Sequence, residues 1–304
     1  MNYQVGIMIK QLRKKQRMSQ EKLAEGIMTR ENLSKIENGL QIVSKENLDA
    51  YMERLGHTAA RFFPYALSSE EYIVFALREE LDNHLAHFNT NKADELIDTM
   101  EKLAPFKKGL HKQYLLKNKA ITCLKKEKDL VKTRDLLNEA IKITIPDFQE
   151  KLVNTYLLAT CDIEIIQAMG ELHHENGDTD KAVYLLEKLA QNIRNHVVDA
   201  RSKARALTFA LYSLSSYLGE QGKFDEALDL CNEAIESGRN NRVYGLLPML
   251  TFNRAYCLFY LGQHDEVKGL LYEAYFACIN MGLDSVATTI KEQSPVLFQI
   301  DIAI

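Results

Sequence analysis

SQEKLAEGIMTRENLSKIENG, residues 19–39, encodes two short helices and the turn between them. Ser19 can accept a hydrogen bond from a free amide of the first turn, which predicts a helix from Gln20. Thr29 does the same for a second helix running to about Glu37, and Asn38-Gly39 stops it. Leu23 and Ile27, then Leu33 and Ile36, recur at helical spacing and give each helix one apolar face. Outward from this stretch, Ile9 and Leu12 mark an earlier helix. Leu48, Met52 and Leu55 mark a later one, capped by Ser44 and ended at Leu55-Gly56. Residues 1–65 therefore read as four or five short helices around a small core.

Nine positions of this stretch carry a resemblance: Gln20, Leu23, Ala24, Ile27, Leu33, Ser34, Ile36, Glu37 and Gly39. They resemble the helix-turn-helix of phage repressor and Cro-type DNA-binding domains. Ala24 is small where two helices cross closely, and Leu23, Leu33 and Ile36 fill the core. Arg13 and Glu37 match a buried ion pair typical of that family. The connection between the two helices is one residue shorter than in most members. That shortening resembles the peptide-responsive regulators of Gram-positive bacteria, the Rgg, PlcR, NprR and PrgX group, whose segments also read like LAEGI followed by SKIE.

The resemblance implies that double-stranded DNA is the partner of residues 1–65, with the second helix of the motif in the major groove. Thr29, Arg30, Glu31, Asn32 and Lys35 are its candidate readers. Arg30 and Asn32 suit base edges, because Arg pairs bidentately with guanine and Asn with adenine. Gln20 and Lys35 suit phosphates. Arg13, Lys14, Lys15 and Arg17 cluster near the end of the first helix and could add phosphate contacts. A solvated basic helix end is the plain alternative for them. Residues 1–65 carry a net charge of +4 and the remainder -8, which suits a polyanion partner for the head alone.

Beyond residue 69 one pattern recurs, as GDTDKAVYLLEKL (177–189), GKFDEALDLCNEA (222–234) and GQHDEVKGLLYEA (262–274). Weaker copies are FNTNKADELIDTM (88–100) and KDLVKTRDLLNEA (128–140). In the better copies a turn glycine is followed by small or apolar residues: Ala182 and Leu189, Ala227 and Ala234, Val267 and Ala274. Seven positions before that glycine stand Gly170, Ser215 and Ala255, small enough for close helix packing. The pattern resembles the tetratricopeptide repeat, with a period longer than that family's usual length of about 34 residues. The fold expected is all-α: a helix-turn-helix bundle over 1–65, then a right-handed helical-repeat superhelix over 66–275. Residues 276–304, with Pro295 and the apolar VLFQIDIAI tail, are expected to form a cap or a dimer interface.

Such an array binds ligands on a concave face lined by the first helix of each pair. Counting back from each turn places Arg78, Asn118, Thr122, Gln167, Glu171, Tyr212, Phe252 and Tyr256 there, with Asp82, His174, Ser216 and Phe259. Asn154 and Asn253 are further amide candidates. Amides can pair with a peptide backbone irrespective of its side chains, and aromatic rings form pockets for apolar groups. Ordinary solvated polar side chains are the plain alternative.

Other chemistries find no support. The five cysteines are scattered without CxxC or Cys/His spacing and read as buried reduced thiols. His173-His174-Glu175 lacks the i, i+4 spacing of helical zinc sites. No phosphate-binding glycine loop or nucleophile elbow occurs. No run reaches the roughly 18 apolar residues of a membrane helix, and the N-terminus does not read as a signal peptide. The expectation is a cytoplasmic, homodimeric transcription regulator of quorum-sensing type, controlled by a short signalling peptide, without enzyme activity, cofactor, metal or membrane contact. The alternatives are a regulator whose repeats bind a protein partner, and a repeat protein acting on a phosphatase or kinase; the intact helix-turn-helix speaks against the last.

Overall fold

A computed structural model describes residues 2–56, 69–86 and 89–302. Among the described residues there are fifteen α-helices and no strand. The head holds α1 (Asn2–Lys15), α2 (Gln20–Ala24), α3 (Arg30–Glu37) and α4 (Lys45–Arg54). Five helix pairs follow: α5 (Ser69–Ala86) with α6 (Thr90–Lys102), α7 (Gly109–Thr122) with α8 (Leu130–Lys142), and α9 (Thr160–Glu175) with α10 (Thr179–His196). The last two are α11 (Ala200–Glu220) with α12 (Phe224–Asn240), and α13 (Leu247–Tyr260) with α14 (Val267–Asn280); α15 (Asp284–Phe298) closes the array. The expected boundary at 65/66 lies outside the described residues. The one expected at 275/276 is corrected: it falls inside α14, which runs on to Asn280 and is followed by α15.

The repeat signature does its packing work where the spacing places it. Ala182, Leu189, Ala227, Ala234, Val267 and Ala274 are all fully buried between paired helices. A Cβ on Gly170 would stand 2.9 Å from the Leu186 side chain, so this residue sets how closely α9 and α10 approach. The turn glycines Gly177, Gly222 and Gly262 have φ of 82°, 76° and 75°, a region open to glycine without a Cβ clash. The second pair lacks this glycine. Its first helix ends in a wider π-turn, Cys123–Glu127, and Lys128 takes the left-handed position at φ 53°. That detour stretches the repeat and makes this copy hard to recognise by eye.

One apolar core runs from α7 to α13 and includes Leu137, Ile141, Ile165, Ile166, Leu185, Leu189, Leu211 and Leu214. Each such side chain stabilises the fold by roughly 1.5–3 kcal/mol relative to exposure. A second cluster joins α13–α15, a third α5–α7, and a fourth fills the head. Successive first helices α7, α9, α11 and α13 pack on one another, while the second helices pack chiefly on their own partners and on the next first helix. The first helices are thus on the inside of the curve.

The head rests against the array through the α2–α3 turn, α4 and Gly56. Gly26 (φ 70°) lies so close to the end of α8 that a Cβ would stand 2.1 Å from the Thr144 carbonyl oxygen. Glu46 accepts from Arg78 of α5 (3.0 Å) and His111 of α7 (2.5 Å). The Asp199 amide donates to the Gly56 carbonyl at 2.8 Å. Glu53, at the end of α4, accepts from the Thr160 amide at the start of α9 (3.0 Å). Burial at this junction pushes the Glu53 carboxyl up to about 7, against the smaller opposing effect of Thr160.

A raised folded-state pKa makes stability fall as pH climbs. Below about 4.5 both states hold the proton; between there and about 7 the unfolded chain releases it first, and above 7 the penalty is complete. Glu53→Gln is therefore expected to be more stable than the parent chain above pH 7, by roughly 1–3 kcal/mol, with the difference vanishing below pH 4.5. Urea unfolding of both proteins across pH 4–9 reads this; a constant difference would remove Glu53 as its source.

Candidate functional site

In the head, side-chain caps fix where each short helix starts. The Lys22, Asn32 and Asn47 amides donate to Ser19 Oγ (3.1 Å), Thr29 Oγ1 (3.3 Å) and Ser44 Oγ (3.3 Å). Beneath α3, the Arg13 guanidinium grips Glu37 with two bonds, Nε–Oε1 at 2.6 Å and Nη2–Oε2 at 2.7 Å. Both residues are buried. The hydrogen bond to Glu37 raises the Arg13 pKa, so the guanidinium keeps its charge. Arg54 donates to the Leu23 and Glu25 carbonyls (3.1 and 2.6 Å), satisfying the end of α2. Neither Arg54 nor Gly6 was singled out from the sequence. A Cβ on Gly6 would stand 1.9 Å from the Ile36 carbonyl oxygen, so α1 and α3 cross in backbone contact there.

This framework turns Thr29, Arg30, Glu31 and Lys35 outward, all exposed, with Asn32 half-buried beside them. Arg17 is exposed just ahead of α2 in a left-handed conformation (φ 54°). Ser19, Lys22, Arg30 and Glu31 line one shallow recess, which brings the starts of α2 and α3 together. Gln20 is placed differently from a freely extended phosphate ligand: its Nε2 donates to Glu37 Oε2 at 2.7 Å. The contacts to the array come from α4, the α2–α3 turn and Gly56, so the outward face of α3 stays open.

The candidate groove is more internally bonded than its polar composition predicts. Gln167 donates to Ser213 (2.7 Å), tying α9 to α11, and Asn253 donates to Ser215 (3.1 Å) and Ser216 (2.8 Å), tying α13 to α11. Gln113 donates to Thr144 (2.7 Å) and Asp162 (2.8 Å), deep between α7, α8 and α9. These amides fix the spacing of the inner helices. Two carbonyl oxygens, Asn118 Oδ1 and Gln167 Oε1, are buried without a partner.

Several expected groove positions are corrected. Asn118 is 1% exposed, and its Nδ2 bonds its own helix at the Tyr114 carbonyl (3.1 Å). The Thr122 hydroxyl turns back to the Asn118 carbonyl (3.1 Å). Arg78 lies over the Tyr114 ring (4.2 Å) and pairs with Glu46 of the head, so it joins the two parts of the chain instead of lining an open channel. Asn154 sits in the 3-10 turn Glu150–Thr155, which Asn192 of α10 holds by the Val153 and Tyr156 carbonyls (2.8 and 2.7 Å). That is the outer side of the array. Phe252 and Tyr256 face an aromatic neighbour from the chain's own end, Phe298, with ring centroids 5.6 and 6.4 Å away. Glu171 and Tyr212 remain half-buried on the inner side. Among the described residues there is no group of three or more His, Cys, Asp or Glu placed to hold a metal, and no helix is long and apolar enough to cross a membrane.

Residues 9–62 match the helix-turn-helix family. No curated protein sequence matches the chain. Among solved structures, PlcR of Bacillus thuringiensis in complex with the peptide PapR7 and DNA superposes with a TM-score of 0.65 at 16% identity, over 95% of this chain and 99% of that one. Apo ComR of S. thermophilus gives 0.54 at 18% identity, over 97% and 99%. ComR of Streptococcus vestibularis with its cognate signaling peptide XIP gives 0.53 at 15% identity, over 97% and 99%. With near-complete coverage at such low identity, what is shared is the fold: a helix-turn-helix head and a helical-repeat body in the same order.

Deleting one partner of the buried pair exposes its importance. Glu37→Ala leaves the Arg13 charge buried and alone and should lower stability by about 3–5 kcal/mol, measured by urea denaturation. A loss below about 1 kcal/mol would mean that the pair contributes no more than a surface contact.

Proposed function

We propose that this chain is a DNA-binding transcriptional regulator whose repeat domain is controlled by a short signalling peptide bound on the inner face of the array. One observation carries the reading: the outward face of α3 is open while the rest of the head is braced on the array. The likeness to PlcR and ComR along the whole chain supports it, since those proteins were crystallised with signalling peptides and, for PlcR and one ComR structure, with DNA. On this reading α3 enters the major groove, Arg30 and Asn32 contact base edges, and Arg17, Gln20, Thr29, Glu31 and Lys35 set the register. A single small head binds weakly, so the working unit is a homodimer on a two-fold site. Phe276, Ile279 and Val296, exposed on α14 and α15, support the C-terminal segment as the dimer face. The chain acts in the cytoplasm and carries no catalytic role.

Peptide binding on the inner face alters how the first helices pack. The head is bonded to α5, α7 and α9 directly, so a change in their spacing changes where it points. Footprinting on genomic fragments tests the DNA half. Arg30→Ala and Asn32→Ala should each weaken site-specific binding by about tenfold to a hundredfold while leaving salt-dependent non-specific binding nearly intact. Undiminished selectivity in the double variant removes both from base readout. Calorimetric titration of the full chain with synthetic peptides encoded near its gene tests the other half, with saturable heat expected from one of them.

A further inference from the structure

Glu171 is a carboxylate out of balance with its surroundings. Every other acidic group along the inner helices that packs among neighbours has a partner. Glu164 pairs with Lys117 (2.6 Å), Asp162 accepts from Gln113 and Thr144 (2.8 and 2.5 Å), and Asp82 accepts from Tyr114 (2.6 Å). Glu171 makes no hydrogen bond and no ion pair with any described residue, although it is half-buried in the middle of the array. Burial raises its pKa, opposed by the charge of Lys125, reinforced by Glu175 and opposed again by His174. The nearby cations are otherwise placed: His174 is stacked on Tyr217 (4.1 Å) and reaches Glu220 (3.5 Å), and Lys125 is exposed at the end of α7.

Glu171 lies where two successive inner helices meet, between the Gln167–Ser213 bond (2.7 Å) and the His174–Tyr217 stack (4.1 Å) of α9 on α11. Gln167, one turn earlier on α9, is buried beneath this point and braces it on α11. Tyr212 and Tyr217 of α11 are near enough that the Glu171 charge raises the pKa of both phenols. A half-buried carboxylate beside aromatic rings is complementary to one kind of group, a positively charged nitrogen bearing several N–H donors. Leaving such an acceptor unpaired costs stability in the empty protein, and a bound cation recovers it.

We propose that Glu171 is a cation-recognition point of the inner face, taking an ammonium or guanidinium group of the ligand beside Tyr212. The assignment rests on the peptide reading above and sharpens it: the peptide presents a free α-amino group or a Lys or Arg side chain at this position. Glu171 then selects among peptides, while the bridging amides Gln167 and Asn253 hold the helices that form the site.

The test uses the full chain and two random heptapeptide libraries, one with free α-amino groups and one N-acetylated. Bound peptides are separated by gel filtration and sequenced by mass spectrometry. The parent chain should enrich cationic peptides roughly tenfold or more. A preference for the free-amine library identifies the α-amino group; Lys or Arg at a fixed position in both libraries identifies a side chain. Glu171→Gln should still recover peptides but lose the enrichment, and its melting temperature should be equal or higher, whereas a merely structural Glu171 would lower it. Peptides recovered without cationic preference, or an enrichment that survives in Glu171→Gln, overturn the inference and leave peptide binding standing. Recovery of no peptide above an unrelated helical protein overturns the peptide reading and this inference with it.

Discussion

Close approach of helix backbones is the constraint on which this molecule depends. Helices that cross at short range need small side chains at the crossing, since packed interiors leave no room for a displaced methyl group. Gly6 admits the Ile36 carbonyl, Gly170 admits Leu186, and Gly26 admits Thr144. Ala182, Ala227, Ala255 and Ala274 do the same within the repeats. The first of these contacts builds the head, the second and last group build the array, and the Gly26 contact joins the two.

Charge adds specificity to that packing. The Arg13–Glu37 pair sits beneath α3, and Gln20 completes it, so one buried network fixes both helices of the motif. Its net contribution to stability is modest because both ions are desolvated, yet losing either member is costly. The same reasoning sorts the carboxylates of the body. Glu46 and Glu164 are each met by a cation, Glu53 by an amide, and Glu171 by no hydrogen-bond or ion-pair partner among the described residues.

Head and body also share residues. Asp162 caps the start of α9 at the Ala159 amide (2.9 Å) and accepts from Gln113 and Thr144; burial lowers the Arg54 pKa in the head, and the Asp162 charge offsets part of that fall. Thr144 in turn is the neighbour of Gly26. Lys117 and Glu164 link α7 and α9 one turn further along. A ligand that shifts α7 against α9 therefore acts on the surface that holds the head, with no long chain of intermediaries.

The sequence by itself determined the helix starts, the stop at Asn38-Gly39, the head's core and the repeat. All of these depend on neighbours a few residues apart: a hydroxyl reaching an amide three positions on, a glycine taking a left-handed turn, an apolar residue recurring each turn. Tertiary structure alone decided what the inner polar side chains do. Asn118, Gln167, Arg78 and Asn253 read alike as groove residues, but their hydrogen-bond partners lie on other helices or on their own backbone. Asn154, offered only as an amide, stands in a 3-10 turn between α8 and α9, and the cap boundary moved because α14 runs on past the repeat motif. Glu171 stands out only beside the paired carboxylates Asp82, Asp162 and Glu164 of the inner helices. Local patterning fixes which face of a helix is apolar, while the pairing of buried charges depends on distances between segments far apart in the chain.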